Sequence, residues 1–214
     1  MNVAVSTEAS RISRPRPYAS PLRRQQAQNT RSQIAQAARD LFRAHGWTKT
    51  HVRDVAAKAG VSEATVYATY GSKVGLARAL VDAVEASADV LTSRSQISDT
   101  DPADQLAALI ESDRRLFAVG GDVIALLRDA GRAEPDLHGA YREGRAHGDH
   151  LRRETFAAWP PAALRDGVSV ERAVDAYAAL CNIDVYRELT DERRWTPDQV
   201  QAWWTDTLTV TLLT

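Results

Sequence analysis

Glu143, His147, His150 and Glu154 come nearest, of all residues in this chain, to a catalytic or metal-binding set. Their separations of 4, 3 and 4 place imidazoles and carboxylates on one helix face. Such groups can hold zinc or another divalent ion. Arg142, Arg145, Arg152 and Arg153 surround them, and a solvated, salt-bridged face explains the same pattern more simply. No glycine-rich phosphate loop and no spaced nucleophile–base set accompanies them. The expectation is therefore no catalytic residue, no metal site and no cofactor. A helical enzyme or ligand carrier with a basic N-terminus stays open as the alternative.

A second set points to a different chemistry. Residues 50–73, THVRDVAAKAGVSEATVYATYGSK, read as a helix, a glycine turn, a short capped helix and the start of another. That is the order of a helix-turn-helix, which lays its second helix in the major groove of double-stranded DNA. Thr50 is read as the cap of a helix that buries Val52, Val55, Ala56 and Ala59. Gly60 supplies the positive φ that stops it, and Val61 anchors the turn. Ser62 caps the next helix, which Val66 and Tyr70, four apart, hold to the core. Glu63, Ala64, Thr65 and Thr69 are left outside, short enough for the helix to sink into a groove. Arg53 can take the two acceptors of guanine. Glu63 can accept from cytosine N4, exclude other bases or simply be solvated. Thr50, Tyr67, Tyr70 and Lys73 are the phosphate candidates. Lys73 opens a helix capped by Ser72, and a cation there is misplaced unless an anion sits beside it.

The elements that must position these residues follow from charge and periodicity. The net charge is −1, but residues 1–80 hold 13 Lys and Arg against 4 Asp and Glu, a balance of +9. The remainder holds 14 against 24, a balance of −10. A basic end joined to an acidic body fits one DNA-binding part and one that is not. There is no apolar run of about 18 residues and no secretion-type leader, so no membrane partner is expected. The single cysteine, Cys181, implies a reduced, cytoplasmic setting.

Residues 1–28 read as a disordered arm, with Arg11, Arg14, Arg16, Arg23 and Arg24 either along phosphates and a minor groove or merely solubilising. Residues 29–75 form the helix-turn-helix domain and residues 76–214 a helical domain, so the fold class is all-α. The first helix begins between Leu22 and Thr30, with Thr30 and Gln33 a possible capping box, and runs to about His45. A fourth helix spans about 73–91. Further helices fall near 102–118, 121–131, 134–159, 169–190 and 197–213, broken at Gly120-Gly121, Pro135, Pro160-Pro161, Gly167 and Pro197. The last two carry wide apolar faces, among them Val174, Cys181, Val185, Trp203, Trp204 and Leu208. Such faces need partners on more than one side, which suggests a homodimer interface.

The stretch from about Thr30 to about Val84 resembles the tetracycline-repressor (TetR) family of bacterial regulators. The resemblance rests on Ile34-Ala35, Ala38, Leu41-Phe42, Gly46-Trp47, Thr50, Val55-Ala56, Ala59-Gly60-Val61-Ser62, Thr65-Val66-Tyr67, Tyr70, Ser72-Lys73, Leu76 and Leu80. The family often has glycine where this chain has Ala64, and a bulky aromatic residue or histidine where it has Thr69. The second departure bears on which sequence is read. The resemblance implies a ligand-responsive regulator, most often a repressor, that binds an inverted repeat as a homodimer joined by its last helices. It also implies an unidentified small-molecule effector in the C-terminal domain, which moves the fourth helix. Leu116, Phe117, Leu127, Tyr141, Trp159, Tyr177 and Asn182 are the lining candidates, with plain core packing as the simpler account of each.

Overall fold

The computed structural model describes residues 21–87 and 101–214. Those residues are helical nearly throughout, with one isolated antiparallel bridge, Leu164 to Leu213. No helix among them is long and apolar enough to cross a membrane.

Helix α1 spans Pro21–Lys49 and bends at Gly46, where φ is 71°. It buries Ile34, Ala37, Ala38 and Phe42 on one face, the 3–4 spacing of an amphipathic helix. Helices α2 (Val52–Ala59), α3 (Glu63–Tyr70) and α4 (Lys73–Ser87) close over that face. Val55, Val66, Leu76 and Leu80 complete a first core with it.

The body holds α5 (Pro102–Ala130), α6 (Pro135–Ala157), α7 (Val170–Leu180), α8 (Ile183–Arg187) and α9 (Pro197–Leu212). Asp101 caps α5, and a full capping box of Thr196 and Gln199 starts α9, with Pro197 in its first turn. A second core gathers Leu106, Ile110, Phe156, Tyr177, Trp204 and Leu208. The first core does not stop at residue 75, since Val123, Leu126 and Leu127 of α5 and Leu137 of α6 belong to it.

Several expected boundaries move. Helix begins at Pro21, so residues 21–28 are not part of an irregular arm and Thr30 lies inside α1. Arg11, Arg14 and Arg16, and the end of the fourth helix at 88–91, lie outside the described residues. Gly120-Gly121 is no break. Both glycines are buried in mid-α5, and a Cβ on Gly120 would stand 2.1 Å from Cγ1 of Val84 on α4. Glycine here permits a close helix crossing rather than a turn. Conversely, the expected helix 169–190 is interrupted at Cys181, and Asn182 caps a separate α8 by accepting from the N–H groups of Asp184 and Val185.

Candidate nucleic-acid interface

The turn between α2 and α3 follows from its residues. Gly60 takes φ 68°, and the N–H of Val61 closes on the carbonyl of Ala56 at 3.0 Å. Ser62 then starts α3, its hydroxyl accepting from the N–H of Thr65 at 3.1 Å. Val66 points into the core, whereas Glu63, Ala64, Tyr67 and Ala68 are exposed. Tyr67 is 48% exposed, and its hydroxyl has no partner among the described residues. Thr69 donates to the carbonyl of Thr65 at 2.7 Å, which holds its hydroxyl along the helix. Arg53 is largely exposed and only loosely paired with Asp54, at 3.6 Å. Arg53, Ser62, Glu63, Ala64, Thr65, Tyr67 and Thr69 therefore share one end of the molecule, on or beside an outward helix face.

Three of the expected DNA contacts are also hydrogen-bonded within the chain. Thr50 is 1% exposed and donates to the carbonyls of Leu41 and Gly46, while the cap position of α2 falls to His51. The kink at Gly46 frees those carbonyls, and a buried hydroxyl must satisfy itself locally. Lys73 donates to the carbonyl of Trp47, and its ammonium lies 4.1 Å from the Trp47 ring centroid. At this helix start the cation is held by a carbonyl dipole at the end of α1 and by the Trp47 ring face. Burial lowers the Lys73 pKa, with Glu134 acting partly against it. Tyr70 gives its hydroxyl to the carbonyl of Arg31 at 2.8 Å. Burial raises its pKa, and the Arg31 charge opposes that.

One junction that sequence reading did not find joins this end to the body. Arg39 on α1 grips Asp122 on α5 with two hydrogen bonds, 2.7 and 2.6 Å, and donates to the Val119 carbonyl at 2.5 Å. Val119 and Asp122 bracket the glycine pair, of which Gly120 meets Val84 on α4 and Gly121 faces Ile183 on α8. A cleft of about 210 Å³ lies beside it, lined by Ala35, Arg39, Leu80, Val84 and Val119 among others. No local pattern marks Arg39, because Asp122 is 83 residues away.

In the body, the ligand candidates divide. Leu127 is buried in the first core, with Leu116 and Tyr141 packed against that core. Trp159 and Tyr177 are buried in the second core, with Phe117 packed against it. Asn182 is committed to capping α8. The seven thus divide between the two cores and the cap of α8. The second core encloses a polar cluster that was not anticipated. Arg152 donates to Asp113 at 2.7 Å and to Asp149 at 3.0 Å, with its guanidinium 4.4 Å from the Tyr177 ring centroid. Tyr177 donates to the same Asp113 oxygen at 3.0 Å. Burial opposes the Arg152 charge, but Asp113, Tyr177 and Asp149 more than offset it and hold its pKa above the ordinary value. Burial, reinforced by Asp113, raises the Tyr177 phenol well above its usual range. Burial likewise pushes the Cys181 thiol up.

The dimer candidates also need correction. Val174, Cys181, Trp204 and Leu208 are buried within this one chain, so they are core and not a free face. An additional layer of packing, from α5 and α6, covers them. Val185 and Trp203 remain. With Leu189 and Trp195 they line an open cleft of about 650 Å³, rimmed by Asp184, Glu188 and Arg193. His150 and Glu154 lie 3.3 Å apart on the exposed surface of α6, and no group of three or more His, Cys, Asp or Glu among the described residues is placed to hold a metal.

A capped, outward α3 set on a glycine turn, joined to an all-helical body, defines a helix-turn-helix protein. Residues 34–80 match the family model described as bacterial regulatory proteins, tetR family. The HTH-type transcriptional regulator TtgR of Pseudomonas putida is 34% identical over 76 residues, which is 36% of this chain and 36% of TtgR. The match thus spans about a third of that relative's length. A transcriptional regulator from Saccharomonospora viridis, in complex with choline, superposes with a TM-score of 0.70 at 18% identity, covering 87% of this chain and 99% of that one. NalD of Pseudomonas aeruginosa, the secondary repressor of the MexAB-OprM multidrug efflux pump, gives 0.66 at 21% identity, covering 88% and 98%. The structural likeness extends the shared fold over the helical body. Residues 34–80 thus match the tetR family of bacterial regulatory proteins, and the described chain shares the fold of solved regulators of that kind.

Proposed function

We propose that the protein binds double-stranded DNA as a two-fold homodimer, reads an inverted repeat and releases it when a small molecule enters the body. The outer face of α3 carries this reading. Glu63, Ala64 and Tyr67 are exposed there while Val66 and the Ser62 cap fix the helix behind them. Arg53, Ser62, Thr65 and Thr69 extend the contact, whereas Thr50, Tyr70 and Lys73 position it from inside. One helix of this length makes few base contacts, and two-fold symmetry doubles them. The cleft at Val185, Leu189, Trp195 and Trp203 is the surface we assign to the partner copy. Its paired indoles, edge-on with centroids 6.2 Å apart, are the kind of aromatic anchors that dominate interfaces.

We place the effector in the second core, near Phe117, Trp159 and Tyr177. Supporting this are the Asp113–Arg152 pair among aromatic rings, and Trp204 Nε1, a buried donor with no partner among the described residues. The choline held by the fold neighbour and the repressor role of NalD make a small effector and repression the natural senses of the reading. No cofactor is required, and a cytoplasmic setting follows from the DNA partner. Selection of bound duplexes from a random library at moderate salt tests the proposal. Recovery of an inverted repeat is expected. Recovery of unselected sequence that washes off with salt would sink it.

A further inference from the structure

Ile34 is the first buried residue of α1, yet the helix already starts at Pro21. Residues 22–33 are exposed, Thr30 excepted. They carry three arginines, several amides and no acidic residue. A helical stretch that buries nothing is not there to fill a core. Arg31 stands where it meets the reading head. Its guanidinium lies 5.0 Å from the ring centroid of Tyr70, the last residue of α3. Arg24 lies seven residues earlier. That is two turns and about 10 Å along the same face. Arg24 has no ion-pair or hydrogen-bond partner among the described residues.

We propose that Arg24 and Arg31 form a phosphate-binding strip that extends the contact of α3 along the backbone of the same duplex. The inference rests on the DNA-binding reading above and adds a sequence-independent surface to it. Two points favour a nucleic acid as the occupant. The strip is continuous with the recognition helix through the Arg31–Tyr70 contact, and guanidinium forks without acidic neighbours complement phosphate oxygens. Counterion release then makes its contribution visible in salt dependence.

The test is fluorescence anisotropy of the full chain with a labelled duplex of mixed sequence, between about 50 and 200 mM salt. Arg24→Ala should reduce the slope of log K against log salt by about 0.9 for each protomer bound. It should weaken all duplexes alike and leave thermal unfolding unchanged. Arg24→Lys should keep the slope, as should Arg142→Ala on the exposed side of α6. A wild-type slope in Arg24→Ala overturns the strip while leaving the DNA reading intact. Failure of the wild-type chain to bind any duplex overturns that reading and the strip with it. Binding to anionic phospholipid vesicles that is lost in Arg24→Ala, with the DNA slope unchanged, would reassign the strip to a lipid surface and equally overturn it.

Discussion

Around Val66, polar side chains point outward and have few protein partners. Around Tyr177 they point inward and are bonded to one another. Glu63 and Tyr67 on α3 are open to solvent, whereas Asp113, Arg152 and Tyr177 close on themselves between α5, α6 and α7. The two ends use the same residue types under opposite conditions. On α3 the exposed side chains of Glu63 and Tyr67 keep their donors and acceptors toward solvent. In the body a buried charge must be paired, because removing it from water costs several kcal/mol per ion before pairing. A side chain's chemistry is therefore set by what surrounds it, and arginine or tyrosine alone signals neither binding nor stability.

Breaking the inward cluster should give the largest effect. Arg152→Ala leaves Asp113 buried without its cation, and we expect a loss of about 3 kcal/mol or more in urea unfolding. The folded fraction should bind DNA as before. Unchanged stability would mean the cluster is not integral to the body. Gly120→Ala comes next, at about 2 kcal/mol, because the added methyl collides with Val84. Calorimetric unfolding at wild-type temperature would show that α4 and α5 can separate freely.

Alkaline titration sharpens the contrast further. Tyr177 stays protonated in the fold after its unfolded counterpart ionises near pH 10. The unfolded chain then binds fewer protons, so stability is full below that pH and falls as pH rises above it, by up to about 1.4 kcal/mol per unit. Tyr177→Phe should flatten this limb, and an equally steep limb in the variant would assign the fall to other groups. Smallest in stability is Glu63→Ala, which should change unfolding by no more than about 0.5 kcal/mol. Its effect belongs in duplex selection, where the preference at one base position should relax. Unaltered selection would return Glu63 to a solvated role.

The turn and the recognition helix were legible because their determinants are local. Gly60, Ser62 and Val66 act on neighbours within four residues, and sequence spacing reports such relations directly. The internal bonds of Thr50 and Lys73 were not legible because their partners are carbonyls near the Gly46 kink, which spacing does not reveal. Gly120-Gly121 looked like punctuation, yet its meaning lies in Val84 on α4 and Ile183 on α8. The wide apolar faces of α7 and α9 were correctly apolar but wrongly apportioned. Val174, Trp204 and Leu208 are covered by the chain's own helices, and only Val185 and Trp203 remain in an open cleft. The Asp113–Arg152 pair, 39 residues apart, left no mark in local composition.

The turn of α5 at residues 119–122 is held in two unlike ways. Arg39 ties it to α1, and a tie resists pulling apart. Val84 abuts Gly120, and a hard contact resists only pushing together. A joint limited in both approach and separation fixes how far α1 and α4 stand from α5 in either direction.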